Sequence, residues 1–265
     1  MISNRTDILD RTLISSMIAS RSGADVEVYD EVESTNSLMK QRARDLCEGH
    51  VIVADRQSGG RGRMGRSFYS PPGSGVYFSL FLKPEGDISN SVIVTCAAAV
   101  AACGAVREVF GGDPWIKWVN DIYIGERKVC GILAESAIPD SGIPEHIVLG
   151  VGFNVYEPDG GFPDDLKDRA GYISRVVIEN GRSKLVATFI NRFFELYDNT
   201  DKSEIIRFYR DYERTCGRNI TVISGESRRD ADAIGIDDSC RLIVRYPDGS
   251  ESALFSGEIS IRFDK

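Results

Sequence analysis

The chain has 265 residues, is 42% hydrophobic and 27% charged, and carries a formal net charge of -8. That length accommodates one large core with a small satellite domain, and the composition is that of a folded, water-soluble chain and not of a disordered one. The negative balance opposes nonspecific attraction to a polyphosphate such as DNA.

Residues 5–20 have the spacing of an opening amphipathic helix. Arg5, Asp7, Asp10 and Arg11 stand among its apolar residues, so a continuous secretory core is lacking and a cytoplasmic protein is expected. Val26-Glu27-Val28-Tyr29 alternates as a short strand and leads to Glu33-Ser34-Thr35-Asn36, where Ser34 is placed to cap a helical stretch over 37–47. Val51 to Asp55 and Val76 to Leu82 are rich in β-formers and predict two strands joined by a glycine- and arginine-rich loop. Val92 to Val106 is the most apolar stretch. It is alanine-rich, is interrupted by Thr95, Cys96, Cys103 and Gly104, and falls short of the ~20 residues of a bilayer span, so it predicts a buried helix.

Ile116 to Ile124, Val129 to Ser136 and Ile147 to Tyr156 predict three further strands, the first two joined across Gly125-Glu126-Arg127-Lys128 as a hairpin. Residues 183–198 and 203–213 are helical in pattern, the first with Leu185, Phe189, Phe193 and Leu196 at core spacing. From Gly217 onward the chain changes to short strands broken by glycine and Asp-Gly turns: Asn219 to Ile223, Asp230 to Ile236, Arg241 to Tyr246, Glu251 to Phe255 and Glu258 to Arg262. Strands at that density suggest a small β-barrel of SH3-like size after a mixed α/β domain with an antiparallel core.

Six cysteines include no C-x-x-C pair, and only His50 and His146 are available to join them, so a structural zinc site is not expected. Cys96 and Cys103 are seven apart, on one face of the alanine-rich helix, as packed thiols would be. No G-x-S-x-G elbow, H-E-x-x-H pair or histidine motif offers a hydrolase site.

The strongest chemical signal is the loop Asp55-Arg56-Gln57-Ser58-Gly59-Gly60-Arg61-Gly62-Arg63-Met64-Gly65-Arg66. A cationic cradle on an acidic chain asks for an anion: glycine lets the backbone approach closely, and each guanidinium offers a planar fork suited to phosphate or carboxylate. Gly60, Gly62 and Gly65 satisfy G-x-G-x-x-G, but a dinucleotide loop opens into a helix, and Pro71-Pro72 disfavours one here. No G-K-[ST] occurs either. The competing reading is a solvated surface loop. Ser34-Thr35-Asn36, Lys117-Trp118-Val119-Asn120-Asp121 and Gly150-Val151-Gly152-Phe153-Asn154 add polar groups that a core does not need. Lys117, set between Ile116 and Trp118, either points to solvent or is held for an anion.

In this order and spacing the segments resemble the biotin–protein ligase family, from about residue 25 to Arg262. Lys128-Val129-Cys130-Gly131-Ile132-Leu133 and Gly257-Glu258-Ile259-Ser260-Ile261-Arg262 belong to the same pattern. The resemblance implies an α+β fold: a class II tRNA-synthetase-like catalytic domain over residues 1–214 and a small C-terminal SH3-like β-barrel over 215–265. It implies ATP and biotin as substrates with Mg²⁺ as the metal cofactor, biotinyl-5′-AMP as the intermediate, and a lysine of a biotin carboxyl carrier domain as acceptor. No protein nucleophile is needed, because the work is to bring two anions together and stabilise growing phosphoryl charge.

Carried onto this chain, the resemblance places Ser34, Thr35, Asn36 and Gln57 at the biotin head, with Arg61, Gly62 and Arg63 folding over tail and phosphate. It places Lys117 on the carboxylate and then on the acyl-adenylate, with Asn120 and Asp121 beside it, Asp121 as a catalytic candidate that polarises the incoming carrier lysine or holds the loop, and Gly131 in the same pocket. Asn154 and Arg262 match positions near the nucleotide. Val119 replaces a common proline, Phe68 a frequent tryptophan, and Ser256-Gly257 a glycine pair. The roughly 25 residues before the first strand are too few for the DNA-binding domain that some relatives carry, so neither a DNA nor a membrane partner is expected, and homodimer formation stays open. Rival readings are a lipoate or octanoate ligase or acyltransferase of the same fold, which would want a long apolar slot, and a biotin- or nucleotide-binding sensor without turnover.

Overall fold

A computed structural model describes residues 7–19, 25–84, 91–137, 145–198, 201–255 and 258–261. Seven strands, β1 (Val26–Val32), β2 (Val51–Gln57), β3 (Gly75–Leu82), β4 (Pro114–Lys117), β5 (Asp121–Ile124), β6 (Arg127–Ala137) and β7 (His146–Asn154), form one sheet in the order β1-β2-β3-β7-β6-β5-β4. Only β1 and β2 pair in parallel; every other neighbour is antiparallel.

The two faces of this sheet are covered differently, and that difference creates the site. On one face lies α3 (Ser91–Phe110), packed against β6 and against α4 (Gly181–Tyr197) and α5 (Lys202–Tyr212). Its alanines and the buried Cys96 and Cys103 let it approach closely, and Phe78, Phe153, Phe189 and Phe193 fill the space beside it, Phe78 and Phe189 meeting edge to face at 5.1 Å. By length and composition α3 is apolar enough to cross a membrane, with a mean hydropathy of 1.8 over Val92–Phe110, but 78% of that window is buried inside the fold, as expected of a core helix. On the other face α2 (Thr35–Gln41) covers only one end, closing a small cluster of Met39, Leu46, Ile52, Phe81 and Val148. β3 is buried along its whole length because it runs between the two layers.

Several elements depart from their sequence-based bounds. The opening helix, α1 (Arg11–Met17), begins at an Asp10 cap, and α2 begins at Thr35 and turns away after Gln41, where the 37–47 stretch was expected to continue. The strand predicted over Ile116 to Ile124 is two strands, β4 and β5, paired Lys117 to Asp121 around a tight turn. That turn is held from outside the sheet. Trp118 is 3% exposed, its backbone N–H donates to Thr215 Oγ1 at 3.0 Å, and its indole N–H donates to the Cys240 carbonyl at 2.9 Å. The strand pattern was correct in its residues and wrong about the turn, which only these distant partners favour.

Beyond residue 215 the strands β8 (Asn219–Ser224), β9 (Ser227–Ile236), β10 (Leu242–Arg245), β11 (Glu251–Leu254) and β12 (Glu258–Ile261) pair as a five-stranded antiparallel sheet, order β11-β10-β9-β8-β12. Ile220, Ala233, Leu242, Val244 and Ile259 are buried in it and continue the main core.

At the outer end of β1 the Glu27 carboxylate accepts from Arg42 at 2.9 Å and lies 2.8 Å from His50 Nε2. The hydrogen bond from Arg42 holds this carboxyl down to about 2 from an ordinary 4.5. A carboxyl depressed in the folded state stabilises above its unfolded value and loses that contribution as pH falls. Melting temperatures measured between pH 7 and pH 2.5 should therefore fall less steeply below pH 4.5 in Glu27→Gln than in the unsubstituted protein; parallel curves would show that Glu27 is not part of the acid response.

Candidate active site

The uncovered part of the second sheet face is floored by glycine. Gly131 on β6 pairs with Gly152 on β7, and Gly150 pairs with Leu133 on one side and Ser79 on the other, so the three glycines share that face. Their missing side chains are occupied by other groups. A Cβ on Gly150 would stand 2.2 Å from Asn36 Oδ1, and Cβ atoms on Gly152 and Gly131 would stand 2.7 and 3.0 Å from the Phe68 ring.

At one end of this floor the start of α2 presents Ser34, Thr35 and Asn36, each 3% exposed. Ser34 accepts from Ser37 N–H as the helix cap. Thr35 N–H and Oγ1 donate to Gln57 Oε1 at 2.9 and 3.1 Å, and Gln57 Nε2 donates to Ser70 Oγ at 3.1 Å. Ser79 Oγ, fully buried on the floor, contacts both Thr35 Oγ1 at 2.8 Å and Asn36 Oδ1 at 2.5 Å. The Thr35 N–H and the two hydroxyls serve Gln57 Oε1 and Asn36 Oδ1 between them, so the network holds the Asn36 amide in place at the edge of the recess.

The arginine loop folds back over the floor. Phe68 N–H donates to the Gly60 carbonyl at 2.9 Å, Gly62 N–H to the Arg66 carbonyl at 2.7 Å, and a single 3₁₀ turn over Arg63–Gly65 puts Met64 at φ 56° and 65% exposed at the tip. Gly60 has no room for a side chain, since a Cβ would come 2.4 Å from the Phe68 carbonyl. Arg63 Nη1 donates to Asn120 Oδ1 at 2.9 Å, and Asn120 Nδ2 in turn donates to the Ile132 carbonyl at 2.8 Å, so the β4–β5 turn latches the loop to the sheet. Asp55, at the loop's neck, accepts from Gly73 N–H and from the buried Arg182.

The result is a recess lined by Ser34, Thr35, Asn36, Gln57, Arg61, Gly62, Arg63, Asn120 and Gly131, all residues that the motifs singled out, together with Phe68, Lys128, Ile132, Leu133, Gly150, Val151 and Gly152. Three cations, Arg61, Arg63 and Lys128, converge on it.

Lys128 is the residue that motif reading passed over. Regular alternation from Gly131 would turn it to the core side, but a register shift between β5 and β6 pairs Lys128 with Tyr123 and leaves Val129 unpaired. This bulge re-aims the lysine onto the glycine face. There its Nζ lies 2.6 Å from Asp121 Oδ1 and 5.9 Å from the centre of the Phe68 ring. The available signal was Lys128-Val129-Cys130-Gly131 itself, a lysine three residues before a floor glycine, and the bulge is a tertiary feature.

The other expected residues fall elsewhere. Lys117 is on the same face but does not line the recess: two strands out, beyond Asp121, its Nζ stands 5.7 Å from the Tyr123 ring. Asp121 reaches the recess only through Lys128. Asn154 is 9% exposed and donates to the Gly171 carbonyl at 3.1 Å, bracing the segment after β7 instead of lining the recess. Arg262 lies outside the described residues. Cys130 is buried on the core face, where burial pushes its thiol well above the ordinary value, and Cys96 and Cys103 are shifted upward in the same way, so none of these three is poised as a thiolate nucleophile.

A cationic loop folded over a glycine-floored sheet is suited to holding an anionic small molecule, and residues 28–154 match the sequence profile of the biotin/lipoate A/B protein ligase family. Residues 215–262 match the biotin protein ligase C terminal domain. The chain belongs to the biotin protein ligase family. The bifunctional ligase/repressor BirA of Bacillus subtilis is 30% identical over 238 residues, covering 88% of this chain and 73% of that protein. The biotin–[acetyl-CoA-carboxylase] ligase of Paracoccus denitrificans is 28% identical, with 83% of this chain and 93% of that protein aligned. The biotin protein ligase of Aquifex aeolicus, solved in complex with biotin and ATP, superposes with a TM-score of 0.75 at 25% identity, covering 90% of this chain and 99% of that chain.

Proposed function

We propose that the protein is an ATP-dependent biotin ligase that forms biotinyl-5′-AMP and transfers the biotinyl group to a lysine of a carrier domain of a biotin-dependent carboxylase. The observation that carries this reading is the recess itself: a polar amide-and-hydroxyl end at the buried Thr35 and Asn36 and the half-buried Gln57, an apolar glycine and Phe68 middle, and three converging cations. Biotin has that sequence of demands, a ureido head, a hydrocarbon tail and a carboxylate. A lipoate ligase of the same fold would have no use for the buried polar network at Thr35, Asn36 and Ser79.

In the first step a biotin carboxylate oxygen forms a bond to the α-phosphorus of ATP while the bond from that phosphorus to the β-bridging oxygen breaks and pyrophosphate departs. In the second, the acceptor amine attacks the acyl carbon, AMP leaves, and the amine loses a proton. The side chains suited to the negative charge of both steps are Lys128, Arg61 and Arg63, the first held by Asp121 and the last by Asn120. Lys128 takes the carboxylate and adenylate role that the motif pattern gave to Lys117.

Mg²⁺ fits as a cation carried by the ATP phosphates. The carboxylates touching the recess cations, Asp121 and Glu135, are already ion-paired and do not form a cage of their own. When bound it supplies Lewis-acid neutralisation of phosphoryl charge. Incubation with labelled biotin, ATP, Mg²⁺ and a carrier domain, read by mass spectrometry of the carrier, tests the assignment. Biotin should add to one carrier lysine only with ATP present; equal labelling by lipoate, or none with any carrier, overturns it.

Removal of the latch has its own expected outcome. Arg63→Gly abolishes the Asn120 contact and one of the three cations, so the closed loop should open more often and the adenylate escape. Labelling of bystander lysines should rise at least tenfold, with adenylate dissociation faster by a similar factor, about what loss of one charge-assisted hydrogen bond gives. Unchanged dissociation would show that Arg63 is a surface charge.

A further inference from the structure

The recess cations are balanced by a carboxylate that no part of the chemistry above requires. Glu135, near the end of β6, has a side chain 21% exposed and divides its two oxygens between different tasks. Oε2 accepts from Asn36 Nδ2 at 2.8 Å. Oε1 accepts from Lys40 Nζ at 2.8 Å and lies 3.5 Å from Arg61 Nη2. Burial alone would raise this carboxyl, but Lys40, Asn36 and Arg61 outweigh it and hold it below its ordinary value, so it is ionised at neutral pH.

The first contact fixes an orientation. Asn36 is an amide with a donor end and an acceptor end, and a carboxylate accepts only. With Nδ2 committed to Glu135, and more weakly to the Leu133 carbonyl at 3.4 Å, Oδ1 must face Ser79 and the space above Gly150. The acceptor end of Asn36 is therefore presented to the recess, where an N–H of a ureido head would arrive. The second contact concerns charge. Arg61 lines the recess and is half-exposed, and its guanidinium lies 3.5 Å from the Glu135 carboxylate. An incoming anion must compete for it.

We propose that Glu135 is a positioning residue with two separable effects: it sets the Asn36 amide so that its oxygen faces the ligand head, and it parks Arg61 until an anionic ligand draws the guanidinium away. The proposal rests on the ligase reading for the identity of the two substrates. Glutamine at 135 retains an acceptor for Asn36 Nδ2 and removes the charge that holds Arg61. Alanine removes both.

Steady-state ligation by the full chain with a carrier domain, with biotin and ATP varied separately, tests it. Glu135→Gln should leave the KM for biotin within about twofold and lower the KM for ATP by about two- to fivefold, the scale of an exposed ion pair. Glu135→Ala should lower the KM for ATP similarly and raise the KM for biotin about tenfold or more, the scale of a lost charge-assisted hydrogen bond. In both, kcat at saturating substrate should change less than the KM values. A KM for ATP in Glu135→Gln equal to that of the unsubstituted protein overturns the parking of Arg61. A KM for biotin raised equally in both variants, or in neither, overturns the orientation of Asn36. Should the alanine variant fail to fold, Glu135→Leu, which removes both contacts while filling the same space, takes its place in the orientation test. Failure of the unsubstituted protein to biotinylate any carrier counts against the ligase reading and not against Glu135, whose contacts are then read by calorimetric titration of the same variants with biotin and with inorganic pyrophosphate: weaker biotin binding only in Glu135→Ala with tighter pyrophosphate binding in both supports the proposal, and unchanged binding in both variants overturns it.

Discussion

Lys128→Ala should slow adenylate formation by about 10²- to 10³-fold, the loss expected when one preorganised cation is removed from a site where phosphoryl charge develops. The fold should tolerate the change. The side chain is 31% exposed and leaves behind Asp121, itself 21% exposed, so the melting temperature should fall by only a few degrees. Pyrophosphate release from biotin and ATP, measured beside a thermal melt, separates the two effects. Lys117→Ala is the informative partner, because the motif pattern favoured Lys117 and the structure places it two strands from the floor. It should retain activity within about tenfold. A larger loss in Lys117→Ala than in Lys128→Ala would return the anion-binding role to the first lysine.

Gly150→Ala should raise the KM for biotin about 10- to 100-fold while leaving the ATP side largely intact. The added methyl would meet Asn36 Oδ1 at 2.2 Å, far inside van der Waals contact, so the amide has to leave the place in which Ser79, Glu135 and the Leu133 carbonyl hold it. Displacing a buried polar group from its partners costs about 1–3 kcal/mol, which sets the expected range. Isothermal titration with biotin alone reads the effect directly. An unchanged affinity would mean that the head group of the ligand lies elsewhere in the recess.

Much of this site was legible from residue types. Four arginines in a glycine-rich loop on an acidic chain are hard to explain as core or as ordinary surface, and three of the polar groups around them, Ser34, Thr35 and Asn36, are the cap and first residues of a helix. Runs of apolar and β-forming residues likewise located the strands of the large sheet, although they merged β4 with β5, because residue type carries no information about a turn stabilised by Thr215 and Cys240, nearly a hundred residues or more away in the chain.

The sequence by itself determined the kind of chemistry: anion-binding cations without a nucleophile, set in motifs of one ligase family on a mixed α/β chain. The tertiary structure decided which cations meet. A bulge opposite Tyr123 turned Lys128 onto the glycine face, strand order left Lys117 two strands from the floor, and Asn154 was drawn away to the Gly171 carbonyl. The physical reason is that residue type sets what a side chain is able to bind, and local periodicity sets its face in a regular strand, whereas bulges, strand neighbours and long-range hydrogen bonds set where it points.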